Sequence, residues 1–170
     1  MTNVLLNESR IGFVEVLRRM NCLIIQSNES IHNGEKVGDL TFSSSSLKAV
    51  EIDPEIIPSI IDEIPILAVV AAFSSGVTVF KNVEELKYKE CDRLNAIIHN
   101  LQAFGIKAYE NNNNLYVEGG KLKKMSQITT FDDHRIAMAF TILSLAAFKK
   151  YDLDNTCLLY TSPSPRDSRR

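Results

Sequence analysis

The sequence predicts an α/β protein with a repeated unit, in which mixed sheets and outer helices surround inner helices. Three observations lead to this fold class: two helical segments are amphipathic, two others are apolar on nearly every side, and each amphipathic segment precedes a strand, a turn and another strand. A helix that is apolar all round has to be enclosed by other elements, whereas an amphipathic helix covers a core from one side. We therefore expect two inner and two outer helices.

The first repeat begins with a helix over residues 10–21, in which apolar side chains recur at helical spacing: Phe13, Val16, Leu17 and Met20. Extended runs then predict strands at 22–27, 37–42 and 47–52, with the turn signal HNG at 32–34 between the first two. The segment DEIPILAVVAAFS, residues 62–74, is apolar beyond its first turn and predicts an inner helix. Pro65 suits that first turn, and Gly76 is placed to end the helix.

The second repeat follows the same order. VTVF at 77–80 predicts a strand, and residues 93–104 predict an amphipathic helix that stops at Gly105. ENNNN at 110–114 predicts the turn of a hairpin, and residues 135–148 predict the second inner helix. An offset of 84 residues aligns three core positions of the two amphipathic helices, pairing Phe13 with Ile97, Leu17 with Leu101 and Met20 with Phe104.

Composition and charge narrow the function. Nineteen Lys and Arg against 21 Asp and Glu give a net charge of -2, so no basic excess recruits nucleic acid or an anionic membrane. The three cysteines, Cys22, Cys91 and Cys157, are unclustered and suggest neither a disulfide framework nor a metal site. No apolar run reaches the ~18 residues of a membrane helix. We expect a cytoplasmic protein that acts on small molecules.

The C-terminal residues differ from the rest. From Thr156 the sequence TCLLYTSPSPRDSRR has no helical or strand period, and Pro163 and Pro165 oppose a regular element. We predict a domain over residues 1–155 followed by a non-native tail over 156–170, translated from cloning or adapter sequence. A natural disordered tail is the alternative.

The polar residues that suggest chemistry gather at three predicted helix starts: Asp62 with Glu63, KYKECDR at 87–93, and DDHR at 132–135. The acidic residues can be helix caps. Arg93 and Arg135 cannot, because a cation in the first helical turn opposes the helix dipole. Together with Lys89 and His134 they suggest a site for a phosphate or carboxylate, in which the missing negative charge is a ligand.

These motifs resemble a known family. DEIP…AAFSSGVTVFKNVEELKYKECDR and TTFDDHRIAMAF, in this order and at this separation, resemble 5-enolpyruvylshikimate-3-phosphate synthases from about Val4 to about Asn155. The resemblance implies the enolpyruvyl transferase fold, in which each of two domains contains three copies of a βαβαββ-type unit with buried parallel helices. It implies that this chain is most of a C-terminal domain, with the N-terminal domain absent. Cys91 departs from the Ser or Thr usual in the family.

The resemblance also implies an activity: transfer of the enolpyruvyl group of phosphoenolpyruvate to the 5-hydroxyl of shikimate 3-phosphate, with release of phosphate and without metal or cofactor. By similarity, Asp62 contacts the shikimate hydroxyls and acts as a base. Lys89 lies near the reacting hydroxyl, and Glu90 protonates the methylene carbon. The phosphate and carboxylate of phosphoenolpyruvate bind Arg93 and Arg135, with His134 beside them.

Other functions remain open on the sequence alone. A UDP-N-acetylglucosamine enolpyruvyl transferase shares the fold and the donor, but KECDR with DDHRIAM favours the shikimate enzyme. An RNA 3′-phosphate cyclase-like protein shares the repeated unit, but its substrate predicts a basic face. An anion-binding remnant without catalysis is the simplest alternative, and we expect the isolated chain to be inactive because the missing domain provides half of the site.

Overall fold

A computed structural model describes residues 1–7, 10–123, 127–148, 150 and 152–159. The described chain forms two sheets, and its helices pack on one large apolar core and one small one. The predicted α/β class with mixed sheets is confirmed. No helix in these ranges is long and apolar enough to cross a bilayer.

The first sheet is antiparallel and has the order β1-β3-β2. Its strands are β1 (Val4–Leu5), β2 (Leu23–His32) and β3 (Glu35–Ser43), and the helix α1 (Gly12–Arg19) connects β1 to β2. The β2–β3 hairpin turns at Asn33 and Gly34, both of which have a positive φ. This hairpin confirms the turn that HNG predicts.

The second sheet is mixed and has the order β4-β5-β7-β6. It contains β4 (Glu51–Ile52), β5 (Val77–Phe80), β6 (Lys107–Asn111) and β7 (Asn114–Glu118). β4 and β5 are parallel, whereas β5–β7 and β6–β7 are antiparallel. The ENNNN turn predicted between the last two strands is confirmed, with Asn112 and Asn113 in the left-handed region.

The connections between strands carry the remaining helices. α2 (Ile57–Ile60) and α3 (Ile64–Ala72) link β4 to the parallel β5, which requires a crossover. A 3-10 turn (Glu84–Tyr88) leads into α4 (Arg93–Ala103), and α5 (His134–Phe148) follows the second hairpin. The predicted repeat is confirmed at this level: α1 and α4 each precede a hairpin, and α3 and α5 follow.

The inner position of α3 is confirmed. Seven of its nine residues are buried, and the helix packs between α5, α4 and β7. Its C-terminal end meets the chain leaving β7 so closely that a Cβ on Gly119 would lie 1.9 Å from the Ser74 carbonyl oxygen. The amide of Gly120 donates to the Ala72 carbonyl, so this contact also satisfies a carbonyl at the helix end.

The prediction that α5 is enclosed on every side is wrong for this chain. Ile136, Phe140 and Leu143 are fully buried, but Met138, Ile142 and Leu145 are 47%, 53% and 39% exposed. These three lie on one face at i, i+4 and i+7. Both faces of the helix carry apolar side chains, but the described chain covers only the face that contains Ile136, Phe140 and Leu143.

Further details of the fold also differ from the prediction. The strand predicted at 47–52 is reduced to β4 plus a single bridge between Lys48 and Ser75. Two short elements, β1 and α2, were not predicted. α3 begins at Ile64, after a turn, so Asp62 lies before the helix. Of the predicted tail, Cys157–Leu159 forms a 3-10 turn, and residues 160–170 lie outside the described residues.

Candidate active site

The three predicted helix starts meet in space. The turn before α3 brings Asp62 and Glu63, the start of α4 brings Glu90 and Arg93, and the start of α5 brings Asp133 and Arg135. We call these six residues the carboxylate–arginine cluster. Residues 73 positions apart in the chain are hydrogen-bonded here, so tertiary packing alone assembles the cluster.

Arg93 lies at the centre of the cluster and is 1% exposed. Its Nε donates to Asp133 Oδ2 at 2.7 Å, its Nη1 to Asp62 Oδ1 at 3.1 Å, and its Nη2 to Glu90. Burial opposes the charge of Arg93, but the hydrogen bond and charge of Asp133 outweigh it and raise the pKa of the guanidinium. Arg93 is therefore a buried cation with three carboxylate partners.

Asp133 is the most enclosed member, with no exposed surface. Its Oδ2 accepts from Arg93 Nε and, at 3.8 Å, from the Cys91 thiol. Its Oδ1 accepts the backbone N–H groups of Arg135 at 2.8 Å and Ile136 at 3.2 Å, so it caps α5. Burial alone would raise the pKa of Asp133, but Arg93 and the two amides lower it overall.

Asp62 connects the side chains of the two arginines from the other side. Its Oδ1 pairs with Arg93 and its Oδ2 lies 3.4 Å from Arg135 Nη2. Arg135 Nη1 also donates to the Asp62 carbonyl at 3.0 Å and lies 3.7 Å from Glu63. The role of helix cap considered for Asp62 is wrong. Glu63 is the N-cap residue of α3, and no side chain caps this helix.

Protein carboxylates thus supply negative charge at both arginines, so no negative charge is missing there. Binding of a ligand anion at the arginines stays a prediction. Nor are the first amides of α5 free for an anion, because Asp133 accepts two of them, and Asp92 accepts the Asn95 amide of α4. The cluster holds two guanidinium groups and four carboxylates, a formal charge of -2. An anionic substrate would need further cations.

The other predicted site residues lie near the cluster with different contacts. Glu90 pairs with Arg93 and its side chain is 47% exposed. The Lys89 ammonium lies 2.5 Å from Glu85 Oε1, in the 3-10 turn before α4, and makes no ion pair with the cluster within the described residues. His134 is the first residue of α5 and is partly buried.

A strained turn directly precedes α5 and positions its first residues. Phe131 and Asp132, both non-glycine, have φ values of 53° and 55°, a conformation that costs on the order of 1–3 kcal/mol per residue. Hydrogen bonds hold the chain on either side: buried Asn100 of α4 exchanges two bonds with the Thr129 backbone, and Asp154 accepts the Thr130 amide. Asn155 donates to Asp132.

A groove of about 200 Å³ opens beside the cluster. Its polar end contains Asp62, Glu63 and Arg135, and its apolar wall comes from α3 and α5: Pro65, Ile66, Met138, Ala139 and Ile142. The exposed face of α5 therefore continues directly from the candidate site. Within the described ranges, no group of three or more His, Cys, Asp and Glu side chains could hold a metal ion.

Sequence reasoning placed five of the six cluster residues among its site candidates or beside them, but it gave Asp133 only the role of a possible cap. Asn100 was missed entirely. The signal for Asn100 was its polar side chain on the buried face of an amphipathic helix, three residues after Ile97 and four before Phe104. Such a side chain must find hydrogen-bond partners.

The fold and the cluster define an α/β protein whose site lies at the starts of inner and outer helices and combines acidic groups with arginines. The family model described as EPSP synthase (3-phosphoshikimate 1-carboxyvinyltransferase) matches residues 1–159. The chain belongs to this family.

Relatives with known names agree. A 3-phosphoshikimate 1-carboxyvinyltransferase of Clostridium tetani is 43% identical over 167 residues, which are 96% of this chain and 38% of the relative. One from Thermosynechococcus vestitus is 42% identical over 91% of this chain and 35% of its own. The structure of EPSP synthase from Acinetobacter baumannii superposes with a TM-score of 0.77 at 33% identity, covering 85% of this chain and 34% of that one. The chain spans about a third of the length of these relatives.

Proposed function

We propose that this chain is part of an enzyme that transfers the enolpyruvyl group of phosphoenolpyruvate to the 5-hydroxyl of shikimate 3-phosphate. The observation that carries the proposal is the meeting of Asp62, Glu90, Arg93 and Arg135 from three separate helix starts. Acid–base groups beside cations are what an addition and elimination at an enolpyruvate require. Membership of the family supports phosphoenolpyruvate and shikimate 3-phosphate as the substrates.

In this proposal Glu90 donates a proton to C3 of phosphoenolpyruvate while the 5-hydroxyl adds to C2 and Asp62 accepts the hydroxyl proton. Elimination then breaks the bond from C2 to the phosphate oxygen while the Glu90 carboxylate takes back a proton from C3, so the products are the enolpyruvyl ether and phosphate. Lys89 turns from Glu85 toward the reacting hydroxyl. No step uses a metal or cofactor.

Arg93 and Arg135 bind the phosphate and carboxylate of phosphoenolpyruvate. Arg135 is the more accessible, with a side chain 32% exposed. The Nη groups of Arg93 can donate to the substrate only when Glu90 or Asp62 moves, since these two carboxylates now accept from them. His134 lies beside them.

The formal charge of -2 on the cluster supports a further element of the proposal. Two anionic substrates are repelled by such a surface, so the remaining two-thirds of the family polypeptide, including the N-terminal domain, has to bring cations to the opposite wall. The exposed apolar face of α5 adjoins the cluster and supports this proposal, because it is surface that the rest of the polypeptide can cover. We propose that the protein works in the cytoplasm, without nucleic acid.

The family match does not favour the alternatives. A UDP-N-acetylglucosamine enolpyruvyl transferase or an RNA 3′-phosphate cyclase-like protein would share elements of the fold, but the relatives found carry the 3-phosphoshikimate name.

A chimera tests the proposal. Residues 1–155 of this chain replace the matching segment of the Clostridium tetani relative, and phosphate release is measured with phosphoenolpyruvate plus shikimate 3-phosphate. We expect turnover from the chimera and none from the 170-residue chain, since positioning by both walls can supply ~7–11 kcal/mol of the barrier. An inactive chimera beside an active unmodified relative would refute the function, and an active isolated chain would refute the shared site.

The role of Arg135 is tested in the same chimera. Arg135→Gln should lower kcat/KM for phosphoenolpyruvate at least ~10-fold, because a hydrogen bond to a charged group contributes ~1.5–3 kcal/mol. Arg10→Gln is the control: Arg10 is exposed and lies before α1, the helix that corresponds to α4 in the preceding repeat. Equal losses at both positions would remove Arg135 from the site.

A further inference from the structure

Asp133 stands between the two arginines of the cluster. One carboxylate oxygen, Oδ1, accepts the backbone N–H of Arg135 at 2.8 Å, while the other, Oδ2, accepts Nε of Arg93 at 2.7 Å. Asp62 closes the arrangement from the opposite side by pairing with both guanidinium groups. The two arginines are therefore connected twice, once through an enclosed carboxylate and once through a partly exposed one.

Asp133 has no capacity left for a substrate. Its two oxygens accept four groups, from Arg93, Cys91, Arg135 and Ile136, and none of its surface is exposed. A carboxylate offers about four lone-pair positions. It can act on the reaction only through the groups that it holds.

We propose that Asp133 is a positioning residue, which fixes the orientation of the Arg93 guanidinium relative to the start of α5 and so sets the spacing of the two arginines that receive phosphoenolpyruvate. This inference rests on the proposed function.

The geometry explains why this position needs an aspartate. An asparagine has a single acceptor oxygen, so it can cap α5 or accept from Arg93, but not both. In either orientation the side-chain NH2 of the asparagine faces another N–H donor. A buried arginine that loses its Nε acceptor is held only by Asp62 and Glu90, so its guanidinium can reorient relative to Arg135. A disturbed spacing weakens the binding of one small polyanion more than it changes the chemistry that follows.

The test is a double-mutant cycle in the chimera with Arg93→Gln, Asp133→Asn and the double variant. Asp133→Asn should raise the KM for phosphoenolpyruvate at least ~10-fold, on the scale of a lost charge-assisted contact. A purely structural defect would lower the amount of active enzyme, and hence the apparent kcat, without changing KM. Because Asp133 acts through Arg93, the double variant should have the kcat/KM of Arg93→Gln alone, within threefold.

Asp92→Asn is the matched control. Asp92 caps α4 through the Asn95 amide and makes no contact with the two arginines, so Asn can replace it as a cap. We expect its kcat/KM to stay within twofold of the parent chimera.

Independent, multiplicative losses in the double variant would overturn the proposal, as would an unchanged KM in Asp133→Asn. If Asp133→Asn does not fold, the comparison of the double variant with Arg93→Gln decides: equal activity supports the proposal, and a further tenfold loss or a failure to fold overturns it. An inactive parent chimera would instead count against the proposed function, so the two failures are distinguishable.

Discussion

Cys91 illustrates at the residue scale how the cluster controls a side chain that the chemistry does not use. Burial, together with the nearby Asp133 charge, raises the pKa of its thiol from 9.0 to about 12. The compact position filled by Ser or Thr in the family resemblance is thus filled here by a thiol that stays protonated and donates to Asp133. The substitution preserves a hydrogen-bond donor at this position.

This pKa predicts slow alkylation. At pH 8 a thiol with a pKa three units higher contains about a thousandfold less thiolate, and thiolate is the reactive form. We expect iodoacetamide to modify Cys91 last of the three cysteines in the folded chain, as followed by mass spectrometry of peptides. In denaturant the three should react at similar rates.

The pH dependence has a definite sign. The folded state keeps the Cys91 proton between pH 9 and 12, whereas the unfolded chain releases it, so the stability contribution is present below pH 9 and is lost as pH rises toward 12. The stability difference between the parent and Cys91→Ser should shift in favour of serine over that range. If Cys91 in the folded chain is alkylated as fast as in the denatured chain, the raised pKa of this partly buried thiol is contradicted.

The arginines show how far residue-level reasoning reached. A cation in the first helical turn correctly marked Arg93 and Arg135 as unusual, because the helix dipole opposes them. The sequence could not reveal that Asp133, Asp62, Glu63 and Glu90 balance them, since these partners lie on three helix starts. The roles assigned to Asp62, Lys89, Glu90, Arg93, His134 and Arg135 stay predictions.

At the scale of elements, one polar side chain attaches the segment before α5 to α4. Asn100 has no exposed surface, accepts the Thr129 amide at 3.1 Å, and donates to the Thr129 and Ala96 carbonyls. The strained turn at Phe131 follows directly. The position of the start of α5 therefore depends on hydrogen bonds between α4 and the segment before α5.

Asn100→Leu should lower the free energy of unfolding by at least about 2 kcal/mol, because each buried group left unpaired costs roughly 1–3 kcal/mol. Urea unfolding measures the change. The control is Gln102→Leu, which removes a hydrogen bond to Ala108 from an exposed position and should cost less than about 0.5 kcal/mol, because water replaces it. Equal costs at the two positions would mean that Asn100 does not hold the segment.

At the scale of the whole molecule, the described chain ends in contact with the site turn. Leu153 is buried, Ile128 and Leu153 form a bridge, and Asp154 accepts the Thr130 amide. These contacts lie within the domain predicted over residues 1–155. The tail predicted from Thr156 contributes one short turn to the described residues.

Deleting residues 160–170 should leave the thermal midpoint within ~2 °C, whereas Asp154→Ala should lower it by ~2–4 °C, the scale of about 1 kcal/mol in a chain of this size. The sequence of the deleted segment, with its prolines and without an apolar period, predicts little burial. Calorimetric or dye-based melting checks both. A larger fall on truncation would show that the tail belongs to the folded protein.

The spacing of apolar and polar residues by itself determined most of the elements, because the buried face of a helix or strand has apolar residues at a characteristic local spacing. Thus the sequence identified both hairpins, the inner α3 and the end of α4 at Gly105, where φ is positive. The end predicted for α3 at Gly76 is wrong, because the helix stops at Ala72, four residues earlier. Family motifs identified the family. Tertiary structure alone decided which face of α5 is covered and which carboxylate pairs with which arginine. Those outcomes depend on the distance between residues far apart in the chain, which local spacing does not encode.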